Sequence, residues 1–123
     1  KYPIASHSNA TAICDHRRNL TDDQIKAMIK RDAMIHIVFC PPFVKKGGNA
    51  GIDDVIKQIN HIVSLGGIKN IGFGSDFDGI ESKVENLSDA SMYPALINAL
   101  KSHYSEAEIQ GFASQNFIDH LPK

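Results

Sequence analysis

Tryptophan is absent from the 123-residue sequence, and cysteine occurs only twice. Cys14 and Cys40 lie far apart and form neither a CxxC motif nor a zinc-ribbon spacing, so no cysteine-based metal site is indicated. The two cysteines are therefore predicted to be free thiols in a reducing compartment. No apolar run approaches the roughly 18 residues of a membrane span, and no secretory signal is present. The default expectation is therefore a cytoplasmic location, with no membrane segment in this chain.

An excess of charge of either sign is also missing. The 13 Lys and Arg residues against 14 Asp and Glu residues give a formal net charge of -1. Nucleic-acid binding requires a basic surface, so we expect no nucleic-acid partner. Hydrophobic residues make up 42% and charged residues 22%, which are ordinary values for a globular protein. The length leaves room for one domain.

Short apolar runs alternate with amphipathic helical segments along the chain. Strands are predicted over residues 4–6, 34–39 and 68–73, the second ending at Pro41-Pro42. Capping boxes predict helices that begin at Thr21 and Ser105. Isoleucines and valines at helical spacing predict a helix over residues 52–63, and Pro94 suits the first turn of another. The helix after Ser105 is expected to bury the following apolar face: Ile109, Phe112, Ala113 and Phe117.

Alternation of strands and helices predicts parallel strands joined by right-handed crossovers. Three strands make a poor independent α/β sheet, because both faces and both edges must be covered. A complete eight-stranded barrel needs about 250 residues, roughly twice the present length. The predicted fold class is therefore α/β, a piece of a larger (β/α) fold with about three βα units present.

Residues suited to chemistry follow each predicted strand, where barrel enzymes collect their reactive groups. His7 follows the first strand, Cys40 the second, and Asp76 and Asp78 the third. A histidine and a carboxylate at one rim suit a hydrolytic metal site. Taken singly, His7 is better explained as a hydrogen-bonded rim histidine, and the alternative for Asp76 is a turn residue. Arg18 is able to bind a carboxylate in bidentate fashion, although a solvated surface arginine is the alternative.

Three segments together resemble the membrane (renal-type) dipeptidase family, peptidase family M19. They are IASHSN at residues 4–9, HRRNLTDD at residues 16–23 and GFGSDFDG at residues 72–79. Their order and separation are similar to the C-terminal portion of that family's single barrel domain, and the resemblance covers essentially residues 1–123. Asp15 and His16 resemble bacterial members.

The resemblance implies that the fold is the C-terminal part of a (β/α)₈ TIM-type barrel. It also implies a zinc-dependent dipeptidase that hydrolyses dipeptides with a metal-activated water. Two zinc ions, bridged by a carboxylate and a water or hydroxide, are expected in the full-length enzyme. His7 is implied as a ligand of one zinc, and Asp76 as the catalytic acid or base beside the water. Arg18 is implied to bind the C-terminal carboxylate of the dipeptide substrate. The family likeness also allows a homodimer of the full-length protein.

The family's other metal ligands are expected in sequence before Lys1: a His-x-Asp pair, a bridging Glu and a further histidine. Zinc uses three or four protein ligands, so the 123 residues alone are expected to be inactive. Two alternatives stay open at this point. One is a related barrel amidohydrolase that acts on another amide. The other is a non-catalytic binding module that kept the barrel and lost its metals.

Overall fold

A parallel sheet of three strands in the order β1–β2–β3 organises the structure, a computed structural model that describes residues 3–122. The strands are β1 (Ile4–Ala5), β2 (Met34–Ile37) and β3 (Ile71–Phe73). Each is shorter than predicted. The third begins only at Ile71, because the Asn70 amide N–H turns back to the Gly67 carbonyl at 2.8 Å. The predicted parallel arrangement is confirmed.

Helices connect the strands and follow the last one. In chain order they are α1 (Asp22–Lys30), α2 (Pro41–Val44), α3 (Ile52–Ser64), α4 (Tyr93–Leu100), α5 (Glu106–Gln110) and α6 (Asn116–His120). A 3₁₀ turn (Ala90–Met92) precedes α4, and a π-helical turn (Gly111–Gln115) joins α5 to α6. Within residues 3–122, no helix combines the length and the apolar character needed to cross a membrane.

Both predicted capping boxes are present. Thr21 Oγ1 accepts from the Gln24 amide at 3.2 Å, and the Gln24 side chain accepts from the Thr21 amide at 2.9 Å. Ser105 and Glu108 make the same reciprocal pair at 3.2 and 2.8 Å. These bonds satisfy backbone donors that the first helical turn leaves free, which is why α1 and α5 start where the sequence predicted.

The core lies between the helices and one face of the sheet. Ile35 and Ile71 are register partners on that face and are fully buried. The predicted apolar stripe of α3 packs there through Ile59 and Ile62, both also fully buried. The opposite face carries His36, whose ring lies against Gly72 so closely that a Cβ there would be 2.8 Å from it. His36 thus occupies space that its strand neighbour leaves free.

The predicted apolar face after Ser105 is correct for Ile109 and Phe112 and wrong for Ala113 and Phe117. Ile109 and Phe112 are buried, but Ala113 is exposed and Phe117 is 37% exposed. The π-helical turn contains more residues per turn than an α-helix, so it rotates the residues that follow it. Asn116 takes the buried position and donates to the carbonyls of Ile68 and Ile71 at 3.0 and 2.9 Å.

Cys14 and Cys40 are both free, as predicted. Burial raises the pKa of each thiol, and the nearby charge of Asp15 raises the pKa of Cys14 further. Both thiols are therefore neutral near pH 7, which makes them poor nucleophiles.

Candidate active site

The carboxyl ends of β1 and β3 bring the predicted His7 and Asp76 together. His7 Nε2 lies 3.9 Å from Asp76 Oδ1, and the two side chains are 40% and 34% exposed. The other ring nitrogen, Nδ1, lies 2.9 Å from Ser6 Oγ, and this contact orients the imidazole. The next residue, Ser8, holds the loop on β2 by donating its amide to the His36 carbonyl at 3.1 Å. Strand-end placement therefore predicted this pair correctly.

The Asp76 carboxylate sits in a tight turn. Asp76 has a φ of 65°, a left-handed conformation that is uncommon outside glycine and is enriched at functional sites. The Gly79 amide donates to the Asp76 carbonyl at 3.0 Å and closes the turn. A Cβ added at Gly79 would lie 2.9 Å from Asp76 Cγ and closer still to Oδ1. Only a residue without a side chain leaves the carboxylate where it is.

Arg18 lies in the loop between β1 and α1, above an aromatic ring. Its guanidinium carbon is 5.6 Å from the centroid of Phe43, within the range of a cation–π contact. The His16 ring is also close, with its centroid 4.3 Å from that of Phe43. His16 Nδ1 accepts from the Arg18 amide at 3.1 Å. These contacts connect the loop that carries Arg18 to helix α2.

A cleft of about 350 Å³ joins the arginine to the carboxylate. Arg18, Cys40, Phe43 and Asp76 line it, and residues 79–82 form one wall. A larger cavity, of about 560 Å³, opens at the start of α3, and it contains none of the predicted site residues. We take the smaller cleft as the candidate site, because of the two it alone is lined by both Arg18 and Asp76.

Cys40 also lines this cleft. Sequence reasoning placed it at a strand end but gave it no role. Burial is the main cause that raises its pKa. A hydrogen bond with the Phe43 backbone and the charge of Arg18 oppose this rise, and the charge of Asp76 adds to it. The thiol therefore lies within the fields of both charged residues and stays neutral.

Three buried amide side chains behind the cleft were missed by sequence reasoning. Asn9 and Gln58 are fully buried and Asn19 is 7% exposed. Asn9 pairs with the backbone of Val38, accepting at 2.9 Å and donating at 3.0 Å. One signal was available, because Gln58 interrupts the buried face of α3, where a polar residue needs partners. The two asparagines carry no comparable pattern.

Two further contacts between a histidine and an aspartate lie away from the cleft. His61 Nε2 contacts Asp22 Oδ1 at 2.7 Å and ties α3 to α1. His120 Nε2 contacts Asp32 Oδ1 at 2.9 Å and ties α6 to the turn before β2.

His7 and Asp76 fit part of a metal site. Zinc binds imidazole nitrogen and carboxylate oxygen at about 2.0–2.2 Å, so two donors to one ion lie roughly 3.5 Å apart. The observed 3.9 Å between His7 Nε2 and Asp76 Oδ1 approaches that spacing. No group of three His, Cys, Asp or Glu side chains able to hold a metal occurs among residues 3–122. These residues therefore supply at most two of the three or four protein ligands that zinc uses.

Solved structures resemble the whole described fold. A metallopeptidase from Rhodobacter sphaeroides, liganded with a phosphinate mimic of the dipeptide L-Ala-D-Ala, matches with a TM-score of 0.90 and 30% identity. The match covers 97% of this chain and 35% of that one. The metallopeptidase dipeptidase AC, of family M19, matches with a TM-score of 0.88 and 30% identity, over 94% of this chain and 36% of its own. These matches confirm the predicted fold class, part of a TIM-type barrel.

A curated relative agrees with the structures. An uncharacterized dipeptidase of Schizosaccharomyces pombe is 34% identical over 119 residues, which is 94% of this chain and 29% of the yeast protein. The chain thus spans about a third of the length of the relatives it matches. Since both a fungal and a bacterial protein are similar, the narrower bacterial affiliation stays a prediction.

The family-level match covers nearly every residue. The model that describes membrane dipeptidase (peptidase family M19) matches residues 1–121. This range includes all three segments on which the sequence resemblance rested, and with them His7, Arg18 and Asp76. The chain belongs to the membrane dipeptidase family, peptidase family M19.

Proposed function

We propose that these residues are the C-terminal portion of a single barrel domain, and that the whole protein is a zinc-dependent dipeptidase. Family membership supports the reaction class. The observation that carries the proposal for this chain is the cleft itself, which is lined by both Arg18 and Asp76, with Asp76 3.9 Å from His7. An arginine that binds a carboxylate, an acid–base carboxylate and a metal-ligating imidazole are this chain's share of the groups that hold and cleave a short peptide.

In this proposal His7 is a metal ligand and Asp76 moves the proton. His7 presents Nε2 while its Nδ1 is held by Ser6 Oγ, an arrangement that keeps a ligating imidazole in one orientation. A zinc pair, when bound, would supply Lewis-acid polarisation of the peptide carbonyl and a hydroxide near neutral pH. The Asp76 carboxylate accepts a proton from the attacking water and passes it to the leaving amine.

Arg18 sets the length of the substrate. Its planar guanidinium binds the C-terminal carboxylate of the dipeptide in bidentate fashion. With that end fixed, the single peptide bond of a dipeptide reaches Asp76, whereas longer peptides place their carboxylate elsewhere. Pro42 and Phe43 form an apolar part of the cleft, whose lining also includes Glu81 and Ser82.

The test is Arg18→Ala in the whole protein, compared with Arg17→Ala. A hydrogen bond to a charged group contributes about 1.5–3 kcal/mol, so kcat/KM for a dipeptide should fall roughly 10- to 150-fold. Arg17 is the neighbouring exposed arginine and has no place in the cleft, so its variant should stay within about twofold. An unchanged kcat/KM for Arg18→Ala would refute the carboxylate role.

Metal analysis of the whole protein separates the alternatives. Two zinc ions per chain support the dipeptidase, and none favours a binding module that kept the barrel. Faster hydrolysis of a lactam or cyclic dipeptide than of linear dipeptides would point to a related amidohydrolase.

The 123 residues alone should be inactive, and activity above that of their His7→Ala variant would contradict this. A cytoplasmic location and a homodimer stay predictions.

A further inference from the structure

The aromatic ring of Phe43 packs against Arg18, the proposed carboxylate-binding arginine. Its ring faces the Arg18 guanidinium at 5.6 Å and the His16 ring at 4.3 Å. An aromatic face attracts a cation and also limits the directions in which a long side chain can turn. The Phe43 ring therefore gives the exposed guanidinium one favourable position beside the cleft, and the Phe43 backbone sets where that ring lies.

Buried side-chain amides hold that backbone. The Phe43 carbonyl accepts from Asn19 Nδ2 at 2.8 Å, Asn9 Nδ2 at 3.3 Å and Gln58 Nε2 at 3.5 Å. The bond from Asn19 is the shortest of the three. Gln58 is anchored more firmly at the Val44 carbonyl, at 3.1 Å, and accepts from the Ala10 amide at 2.8 Å.

Asn19 uses almost all of its hydrogen-bonding capacity here. Its two N–H groups donate to the Phe43 and Cys14 carbonyls at 2.8 and 2.9 Å, and its Oδ1 accepts from the Asn9 amide at 3.2 Å. Asn19 directly follows Arg18 in the chain. One side chain thus fixes the backbone that carries the arginine to the backbone that carries the aromatic ring.

We propose that Asn19 is a positioning residue for substrate recognition, which aligns Arg18 over Phe43 so that the guanidinium meets the substrate's terminal carboxylate. This inference rests on the proposed function and extends it by one residue. Asn9 and Gln58 complete the buried amide network around the same carbonyl. Asn19 acts through Arg18 and does not itself touch the substrate.

The test compares ligands with and without a free C-terminal carboxylate. In the whole protein, Asn19→Ala should lower kcat/KM for a dipeptide at least about tenfold, mainly through KM. The inhibition constant of a phosphinate dipeptide mimic should rise by a similar factor. That of the same mimic with a C-terminal amide should change less than about threefold, because the amide gains little from an aligned arginine.

Asn70→Ala is the matched control. Asn70 is 5% exposed and donates its side-chain amide to the Ala33 carbonyl at 2.8 Å, at the amino ends of the strands. Its loss removes a similar buried bond far from the cleft, so both mimics should be affected equally. Equal losses for both mimics in Asn19→Ala would reduce it to a purely structural residue and overturn the inference.

A second variant covers the case in which Asn19→Ala fails to fold. Phe43→Leu keeps an apolar side chain and the backbone carbonyl but removes the aromatic face, so it should weaken the free-acid mimic selectively. Unselective loss in that variant would likewise count against the inference. If the unsubstituted protein hydrolyses no dipeptide, the proposed function fails and this inference fails with it. Dipeptidase activity without selectivity in the variants refutes the inference alone.

Discussion

Adding one methyl group at Gly79 should disable the site without unfolding the protein. The new Cβ would stand 2.9 Å from Asp76 Cγ and closer to Oδ1, well inside normal contact. Carbon and oxygen atoms need about 3.5 Å, so the carboxylate has to swing away by roughly 1 Å. A catalytic group misplaced by about 1 Å can cost about 10²-fold in rate. Gly79→Ala should therefore lower kcat/KM for a dipeptide by about two orders of magnitude.

Stability should change little in the same variant. Gly79 is outside the left-handed region, so alanine fits its backbone, and the clash falls on the end of a side chain that can rotate. The free energy of unfolding is expected to stay within about 1 kcal/mol of the parent. Urea unfolding and dipeptide kinetics on the same preparation measure both quantities.

Gly51→Ala is the control for the added methyl group. A Cβ at Gly51 meets nothing within 4 Å, and the residue lies outside the cleft. Its kcat/KM should equal that of the parent protein. The reasoning is refuted if Gly79→Ala keeps kcat/KM within about threefold, or if its activity falls only in step with the folded fraction.

Further predictions concern stability. Burial, followed by the charge of His7, lowers the pKa of His36 below its ordinary 6.5, so the folded state binds fewer protons than the unfolded state. The contribution of neutral His36 to the free energy of unfolding should be complete above about pH 6.5. It should be lost as the pH falls through the lowered pKa of the folded state. Urea unfolding between pH 7.5 and 5 should show this loss, and His36→Leu should reduce the slope. Ile59→Ala, at a fully buried position of α3, should cost about 2–5 kcal/mol in the same assay. Lys57→Ala, on the exposed face of that helix, should cost under about 1 kcal/mol, and equal costs would contradict the assigned face.

Features set by local chemistry could be predicted from the sequence. A capping box depends on residues three positions apart, so Thr21 and Ser105 marked helix starts correctly. The pairing of His7 with Asp76 was also predictable, because parallel strands present their carboxyl ends at one edge. The roles of His7, Asp76 and Arg18 came only from the family resemblance, and they stay predictions.

Long-range features could not be predicted in the same way. The bond between Asn19 and the Phe43 carbonyl joins residues 24 positions apart, and no local pattern announces it. Arg18 appeared either as a carboxylate-binding group or as a surface residue, and only the folded chain places it over Phe43. The predicted strand limits were wrong for a related reason. β3 starts where the turn at Asn70 ends, and not where the apolar residues begin.

The π-helical turn at Gly111–Gln115 has a consequence for comparing this chain with its relatives. An α-helix advances by about 100° per residue, so a turn that is wider by one residue resets the phase of everything after it. In a relative that lacks the extra residue, the buried counterpart of Asn116 comes one position earlier in the sequence, so the two sequences align correctly only with a one-residue gap. Hydrophobic matches on an ungapped alignment would then pair Phe117 with residues from a different face of the helix.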